Sequence, residues 1–406
     1  MEETKMTSKQ FLNELTAKHY NGALQAKAEG KPVAWAVSIC PQELFETLDM
    51  AVVYPENHAA AIGARKGAME FIEHAEGIGY SADICSYARI NMAYTDIQHA
   101  EAQDIPMPDI ILVSGNICTT VIKWWENLAK KLHVPCVYID TPFNHTYEVP
   151  DHATEFLRHQ METAIIQLED FTGKKFDFDK LSEVMKLSNA TCQWWKMATD
   201  LAANKPSPLN GFDMFNYMAI MVCMRGNADG HKLFKMWYEE LKAKADAGKG
   251  PWNSAEEQYR IMWDGIACWP HLSTTFKVLK KYGVNMVTST YPESWNVRYE
   301  TNDLTGMAKA YTVNYANRNL DFGTDYLKRL VDQFNLDGVL YHSNRSCKLM
   351  DFRQYEVRRR VEGMTGIPTA MFDGDQTDPR SFSEAQYETR VQALVEMMDK
   401  RKNAGR

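Results

Sequence analysis

The sequence predicts an α/β protein with two Rossmann-like lobes, each built on a doubly wound parallel sheet, and a helical insert between them. Short apolar runs alternate with helix-like stretches at both ends of the chain, as parallel sheets require. The run that ends at Cys118 has a counterpart that ends at Cys347. We place the N-terminal lobe at 1–150, the insert at 151–270 and the C-terminal lobe at 271–406.

The N-terminal lobe opens with a helix and continues as an alternating series of strands and helices. Each predicted strand is a short apolar run closed by turn residues. The strands are predicted at 33–37, 51–54, 111–113 and 136–139, and the helices at 7–30, at 42–49 and from the second strand to about Gly77. This alternation indicates a parallel sheet with right-handed crossovers.

The insert is predicted from helical spacing of apolar residues, such as Leu157, Met161 and Ile165. A Pro- and Asn-rich stretch at 204–211 indicates a break between helices. The C-terminal lobe repeats the alternating pattern and ends in an amphipathic helix. Its strands are predicted at 284–287, 338–341 and 369–372.

Composition excludes several functional classes. The 406 residues carry a formal net charge of -8 and no basic run typical of nucleic-acid binding. The N-terminus is too charged for a secretory signal, and no apolar run approaches the roughly 20 residues of a membrane helix. No glycine-rich phosphate loop is present, so neither ATP hydrolysis nor NAD binding is predicted. We expect a cytoplasmic protein without nucleic-acid or membrane partners.

Three of the eight cysteines occur where strands or turns end. Before Cys118 and Cys347, an Asp precedes an apolar run that closes in a Ser/Asn turn, and Cys85 opens a predicted helix. Thiolates that converge on a cleft usually hold a soft metal or a cluster. Because the chain has no Cys-x-x-Cys motif, spacing alone leaves a cluster, a zinc ion and no metal as alternatives.

Other polar residues also end the predicted strands. Ser38 and Glu56 follow neighbouring strands, where each could be functional or could cap a helix or face solvent. Cys40 is a fourth possible thiolate, and Asp373 with Asp375 could bind a cation or cap the next helix. The remaining cysteines are predicted to act as small apolar residues: Cys136, Cys192, Cys223 and Cys268.

Several short motifs carry a family resemblance. They are Cys40-Pro-Gln-Glu-Leu44, Asp83-Ile-Cys-Ser-Tyr87, Pro108 to Cys118, Tyr138-Ile-Asp-Thr-Pro142, Arg345-Ser-Cys347, and Gly366-Ile-Pro368 with Asp373-Gly-Asp375. Together with the C-terminal segment they span about 30–400, nearly the whole chain. In content and order they resemble the 2-hydroxyacyl-CoA dehydratase and benzoyl-CoA reductase family.

The resemblance implies a catalytic (α) subunit of an (R)-2-hydroxyacyl-CoA dehydratase, a lyase that forms 2-enoyl-CoA through ketyl radicals after one-electron activation. It implies a [4Fe–4S] cluster held by Cys85, Cys118 and Cys347, with one iron open to the acyl-CoA substrate. Ser38 and Glu56 match the family's active-site positions. The implied partners are a related β subunit with its own cluster, in a heterodimer, and an ATP-dependent activator protein.

Three other functions remain open. The chain could be a β-type subunit that relays electrons, which should have a fourth cluster ligand, or a scaffold that binds a cluster for assembly. It could also be a subunit of a benzoyl-CoA-type reductase. The resemblance suggests leucine-derived 2-hydroxyisocaproyl-CoA as substrate, as in amino-acid fermentation by anaerobes. Phenyllactyl, lactyl and glutaryl thioesters remain alternatives.

Overall fold

The computed structural model describes residues 6–252 and 256–404, which contain two parallel sheets of four strands each. The strands are β1 (Val33–Ala36), β2 (Ala51–Val53), β3 (Ile110–Ser114), β4 (Cys136–Ile139), β5 (Tyr259–Asp264), β6 (Val284–Ser289), β7 (Gly338–Asn344) and β8 (Thr369–Gly374). Their orders are β2-β1-β3-β4 and β6-β5-β7-β8. The two sheets share one topology, so the predicted α/β fold with two lobes is confirmed.

In its described part, the first lobe contains six helices. They are α1 (Ser8–Ala28), α2 (Gln42–Thr47), α3 (Pro55–Ala64), α4 (Ala68–Gly77), α5 (Ser86–Ile97) and α6 (Thr119–Leu132). Among them, α1 and α6 pack against the strands of the lobe. The single long helix predicted up to Gly77 is wrong, because α3 and α4 are separate. Lys66 adopts the left-handed conformation with φ of 62°, which ends α3.

Four helices form most of the predicted insert. They are α7 (Asp151–Thr172), α8 (Phe178–Asp200), α9 (Gly211–Cys223) and α10 (Ala228–Asp246). However, β5 also lies within 151–270, and the sequence analysis predicted no strand there. Arg260 interrupts the apolar run of β5, although the structure buries its side chain in an ion pair with Glu257. The boundaries of the three regions stay a prediction.

Helices of the second lobe complete the chain. They are α11 (Leu272–Lys281), α12 (Thr290–Glu293), α13 (Leu304–Thr312), α14 (Leu320–Gln333), α15 (Lys348–Thr365) and α16 (Glu384–Ala404). The predicted amphipathic C-terminal helix is confirmed, since α16 buries Tyr387, Val391, Leu394 and Met398. Within 6–252 and 256–404, none of the helices has the length and apolar character needed to cross a membrane.

The aspartates that precede β3 and β7 make equivalent hydrogen bonds in the two lobes. Asp109, before β3, accepts a hydrogen bond from the backbone N–H of Val33 at 2.9 Å. Asp337, before β7, accepts one from the N–H of Arg260, also at 2.9 Å. Each carboxylate therefore ties the start of its own strand to the start of the neighbouring central strand. The matched sequence context reflects a repeated structural unit.

Strand order determines where a site can form. In the first sheet the chain moves from β1 to one side and then returns to the other, so the loops after β1 and β3 flank a crevice. Ser38 and Cys118 lie in these two loops. The equivalent loops of the second sheet follow β5 and β7, and the second of them carries Cys347.

Candidate active site

Each of the three predicted ligand cysteines stands at the N-terminus of a helix. Cys85 is the N-cap residue of α5, Cys118 of α6 and Cys347 of α15. The free backbone N–H groups and the dipole of a helix N-terminus favour a negative charge. The fold therefore presents three sulfur atoms from three separate helix starts, where backbone N–H groups offset part of the cost of a buried thiolate.

The three cysteine side chains lie close enough for their charges to interact. Burial raises the pKa of the Cys85 thiol to about 12, and a charge on Cys118 raises it further. Burial also raises the pKa of Cys118 and of Cys347, and Cys347 responds to charges on both other cysteines. Hydrogen bonds from backbone N–H groups lower the pKa at all three residues and so partly offset burial. Binding of iron would replace the thiol protons and remove the cost of burying free thiolates.

The carboxylate of Asp375 connects two of the cysteine segments. Its Oδ1 accepts a hydrogen bond from the hydroxyl of Ser86 at 2.6 Å, and its Oδ2 accepts one from the N–H of Ser346 at 3.1 Å. Ser86 follows Cys85 and Ser346 precedes Cys347. The two serines are also joined directly, because the N–H of Ser86 donates to Ser346 Oγ at 3.1 Å.

The 3₁₀ helix that follows, Pro379–Ser381, is capped by Asp378 and not by Asp375, which instead binds N–H groups of its own loop. Asp375 Oδ1 also accepts hydrogen bonds from the N–H groups of Thr377 and Asp378, at 3.0 and 2.9 Å. With four donors in place, this buried carboxylate is occupied by the protein itself. Asp373 is exposed at the end of β8 and does not share this network.

The donor set can be compared with the needs of a zinc ion and of a cluster. In the part of the chain that the structure describes, no three His, Cys, Asp or Glu side chains are placed to bind a single metal ion. One zinc ion needs sulfur ligands at about 2.3 Å from the same centre. A [4Fe–4S] cluster spreads its cysteines over different iron atoms. The three cysteines, from three separate segments, have the soft donor chemistry that the sulfur ligands of a [4Fe–4S] cluster require.

Ser38 and Glu56, which the sequence analysis singled out, are in direct contact. The backbone N–H of Ser38 donates a hydrogen bond to Glu56 Oε2 at 2.5 Å. Ser38 follows β1, and Glu56 is the second residue of α3, directly beyond β2. Burial raises the pKa of Glu56 to about 7, while hydrogen bonds from Ser38 lower it. A carboxyl group with this pKa can exchange a proton near neutral pH.

The Ser38–Glu56 pair faces the cysteines. A charge on Glu56 raises the pKa of Cys118. Tyr291 lies near both groups, because charges on Glu56, Cys347 and Cys85 all add to the effect of burial in raising its pKa. One site thus combines a proton-exchanging carboxyl group, a phenol and three cysteine side chains.

The other cysteines have different surroundings. Cys40 is buried, and its pKa is raised mainly by that burial. Cys192 and Cys268 are fully buried, as predicted, and Cys223 is partly buried. The prediction for Cys136 is wrong in one respect, because this residue is exposed. It lies on β4, an edge strand of the first sheet, where alternate side chains point away from the core.

An apolar cavity of about 80 Å³ opens beside Cys347. Its apolar walls are formed by Ile39, Ile117, Ile266, Leu349 and Met350. Trp295 also lines it and donates a hydrogen bond from Nε1 to the carbonyl oxygen of Ser38 at 2.8 Å. The cavity therefore extends from the Ser38 loop to a predicted cluster ligand.

Tyr291, Trp295 and the role of Asp375 in joining the cysteine segments were not predicted from the sequence. Tyr291 and Trp295 come from the segment after β6, far along the chain from Ser38, and no motif marks them. One sequence feature pointed to Asp375: the Asp373-Gly-Asp375 turn after β8, which predicted cation binding or capping.

Comparison with known proteins identifies the family. Residues 37–398 match the family described as 2-hydroxyglutaryl-CoA dehydratase, D-component. The chain is 48% identical to the (R)-2-hydroxyisocaproyl-CoA dehydratase alpha subunit of Clostridioides difficile, over 99% of this chain and 98% of that protein. It is 45% identical to the (R)-phenyllactyl-CoA dehydratase alpha subunit of Clostridium sporogenes (98% and 97% covered). It is 42% identical to the lactoyl-CoA dehydratase subunit alpha of Anaerotignum propionicum (97% of each). The chain therefore belongs to the 2-hydroxyglutaryl-CoA dehydratase D-component family of hydro-lyases, as the resemblance predicted.

Proposed function

We propose that this chain is the catalytic α subunit of an (R)-2-hydroxyacyl-CoA dehydratase, which eliminates water to give a 2-enoyl-CoA. The observation that carries the proposal is the position of the Ser38–Glu56 pair beside three cysteines at helix starts. The names of the relatives support the reaction class.

The proposed cofactor is a [4Fe–4S] cluster bound by Cys85, Cys118 and Cys347, with one iron free of protein ligands. When bound, it would supply one electron to the thioester and polarise its carbonyl oxygen, so that the adjacent hydroxyl can leave and the β-hydrogen becomes acidic. The three cysteine segments supply its sulfur ligands, and Asp375 holds two of these segments together.

The protein side chains then orient the substrate and move protons. In the proposed arrangement, the Ser38 hydroxyl binds the substrate near its carbonyl or its departing hydroxyl group. Once the hydroxyl group has been expelled as hydroxide, Glu56, held by the N–H of Ser38, accepts the β-proton and transfers it to that hydroxide, which gives water. A pKa of about 7 suits this exchange, because the carboxyl group is readily protonated and deprotonated near neutral pH.

The proposed partners follow from this chemistry and from the relatives. Several relatives are named alpha subunits, which supports a partner β subunit. We propose that this subunit is related to the chain and carries its own cluster. The electron must come from another protein. Because the sequence has no glycine-rich phosphate loop, we propose an activator protein that couples electron delivery to ATP hydrolysis.

The cavity beside Cys347 favours an apolar acyl group. It is lined by branched aliphatic residues such as Ile117 and Leu349, together with uncharged polar residues such as Ser294 and Asn314. Such a space suits the isobutyl end of a 2-hydroxyisocaproyl thioester, and the described residues that line it offer no Lys, Arg or His side chain to the carboxylate of a 2-hydroxyglutaryl thioester. We therefore propose 2-hydroxyisocaproyl-CoA as the substrate.

Reducing this cavity should change substrate preference. Ala316 lines it, so Ala316→Leu should occupy the space of the isobutyl group. We expect kcat/KM for 2-hydroxyisocaproyl-CoA to fall by about tenfold or more relative to lactoyl-CoA, whose methyl group needs less room. Steady-state kinetics with both thioesters measure this ratio. An equal loss for the two substrates would place the acyl chain elsewhere.

Two alternatives within the family are less consistent with the residues present. A β-type relay subunit should add a fourth ligand, whereas the fourth cysteine near the site, Cys40, is buried beside Glu43 and Arg225. A benzoyl-CoA-type reductase would reduce its substrate by two electrons. Dehydration returns the electron and is redox-neutral.

An anaerobic assay tests the proposed function. The chain is co-purified with its partner subunit and mixed with activator, ATP, a reductant and 2-hydroxyisocaproyl-CoA. We expect 2-enoyl-CoA to form in many turnovers per electron delivered. Consumption of two electrons per product would instead indicate a reductase.

A further inference from the structure

We propose that Gln376 is a positioning residue that donates a hydrogen bond to the sulfur of Cys85 and thereby raises the reduction potential of the cluster. This inference rests on the proposed function, because it concerns a ligand of the proposed cofactor. Gln376 follows Asp375 in the loop after β8, and its side chain is fully buried.

The contact is specific. Gln376 Nε2 lies 2.9 Å from Cys85 Sγ. Among the side-chain hydrogen bonds of residues 6–252 and 256–404, this is the one that reaches a sulfur of the three proposed ligands. Within the same described residues, Cys118 and Cys347 receive hydrogen bonds from backbone N–H groups and from no side chain. The environment of the three sulfur atoms is therefore unequal.

A second buried amide fixes the orientation of Gln376. Asn344 Nδ2 donates to Gln376 Oε1 at 2.7 Å, and Asn344 Oδ1 accepts from the backbone N–H of Gln376 at 3.3 Å. Turning the Gln376 amide over would place its NH₂ group against that of Asn344 and its oxygen against the sulfur. Only one orientation satisfies both residues, and it directs an N–H donor at Cys85.

The Asn344–Gln376 pair is also hydrogen-bonded to a second proposed ligand, Cys347. The carbonyl oxygen of Asn344 accepts a hydrogen bond from the N–H of Cys347 at 2.9 Å. Asn344 therefore connects the Cys347 segment with the residue that contacts Cys85. Both asparagine and glutamine are buried, so water does not replace these hydrogen bonds.

The expected effect on the reduction potential of the cluster follows from the negative charge that reduction adds. Reduction adds negative charge to a cluster and to its sulfur ligands, and an N–H donor stabilises the reduced form more than the oxidised form. Removing the donor should therefore make the reduction potential more negative. The cluster would then be harder to reduce but a stronger donor to the substrate.

Gln376→Met tests this inference, since methionine matches the size of glutamine but has no N–H donor. The readout is the midpoint potential of the anaerobically purified complex, followed by electron paramagnetic resonance, together with iron content. Gln42→Met is the matched control. Gln42 is also buried, but its Nε2 donates only to the carbonyl oxygens of Met221 and Val222.

We expect full iron content in both variants, with a more negative midpoint potential in Gln376→Met alone. Gln376→Glu is a second variant, because it can still accept the hydrogen bond from Asn344 and should also shift the potential downward when ionised. An unchanged potential in iron-loaded Gln376→Met or Gln376→Glu would overturn the inference. Wild-type protein without iron would instead overturn the proposed function, and with it this inference.

Discussion

Glu56→Gln should lower kcat for dehydration by about 100-fold or more, with the iron content of the chain unchanged. Glutamine keeps the shape of the side chain but can neither accept nor release a proton. Because Glu56 contacts Ser38 through the backbone N–H, the loop should stay in place. Turnover with saturating activator measures the change, and Glu101→Gln, an exposed surface position, is the control.

The same residue should control the dependence of the rate on pH. Burial raises the pKa of Glu56 to about 7, above the ordinary value of 4.5. As the pH falls through 7, Glu56 becomes protonated and can no longer accept the β-proton, so kcat/KM should decline. The Gln variant should lack this decline. Near-normal turnover in both Glu56→Gln and Ser38→Ala, with iron retained, would remove these residues from the proposed chemistry.

Glu43→Ala should lower the free energy of unfolding by about 3–5 kcal/mol. Glu43 and Arg225 form an ion pair whose two side chains are completely buried. The carboxylate also accepts hydrogen bonds from the hydroxyls of Tyr299 and Tyr311, at 2.5 and 2.7 Å. Removing it leaves the guanidinium charge of Arg225 buried without its partner.

This network joins the regions that form the site. Glu43 lies in α2 of the first lobe, Arg225 follows α9, and Tyr311 lies in α13 of the second lobe. Urea denaturation measures the loss of stability. Lys186→Ala is the control, because it breaks an exposed pair with Glu183 and should change stability by less than about 0.5 kcal/mol. Equal stability of Glu43→Ala and wild type would show that the ion pair does not hold the regions together.

The repeated topology could be predicted because it rests on local patterns. The strands before Cys118 and Cys347 are apolar runs between an Asp and a polar turn. In both cases the Asp, Asp109 or Asp337, accepts a hydrogen bond from the neighbouring strand, which explains why the pattern is repeated. β5 was not predicted, since Arg260 appears polar in sequence and is buried only through partners distant along the chain, such as the carbonyl oxygen of Phe334. A single sequence does not reveal such partners.

The residues of the site also fall into two groups, those that could be predicted from the sequence and those that could not. Cysteines at strand ends, with Ser38 and Glu56, were accessible to sequence reasoning because position relative to a strand determines their location. Trp295, Tyr291 and Gln376 were not, since their roles depend on contacts between lobes. Trp295 contacts Ser38, which lies 257 residues away in the sequence. Gln376 contacts Cys85, which lies 291 residues away.

The central claim is that Cys85, Cys118 and Cys347 hold a four-iron cluster, and the most direct test is iron and acid-labile sulfide per chain after anaerobic purification. We predict about four of each in wild type, and the same in Cys192→Ala, which removes a fully buried cysteine outside the site. Cys118→Ala should lose them. Wild-type protein that carries one zinc ion or no metal, or a Cys118→Ala variant with its full iron content, would contradict the account.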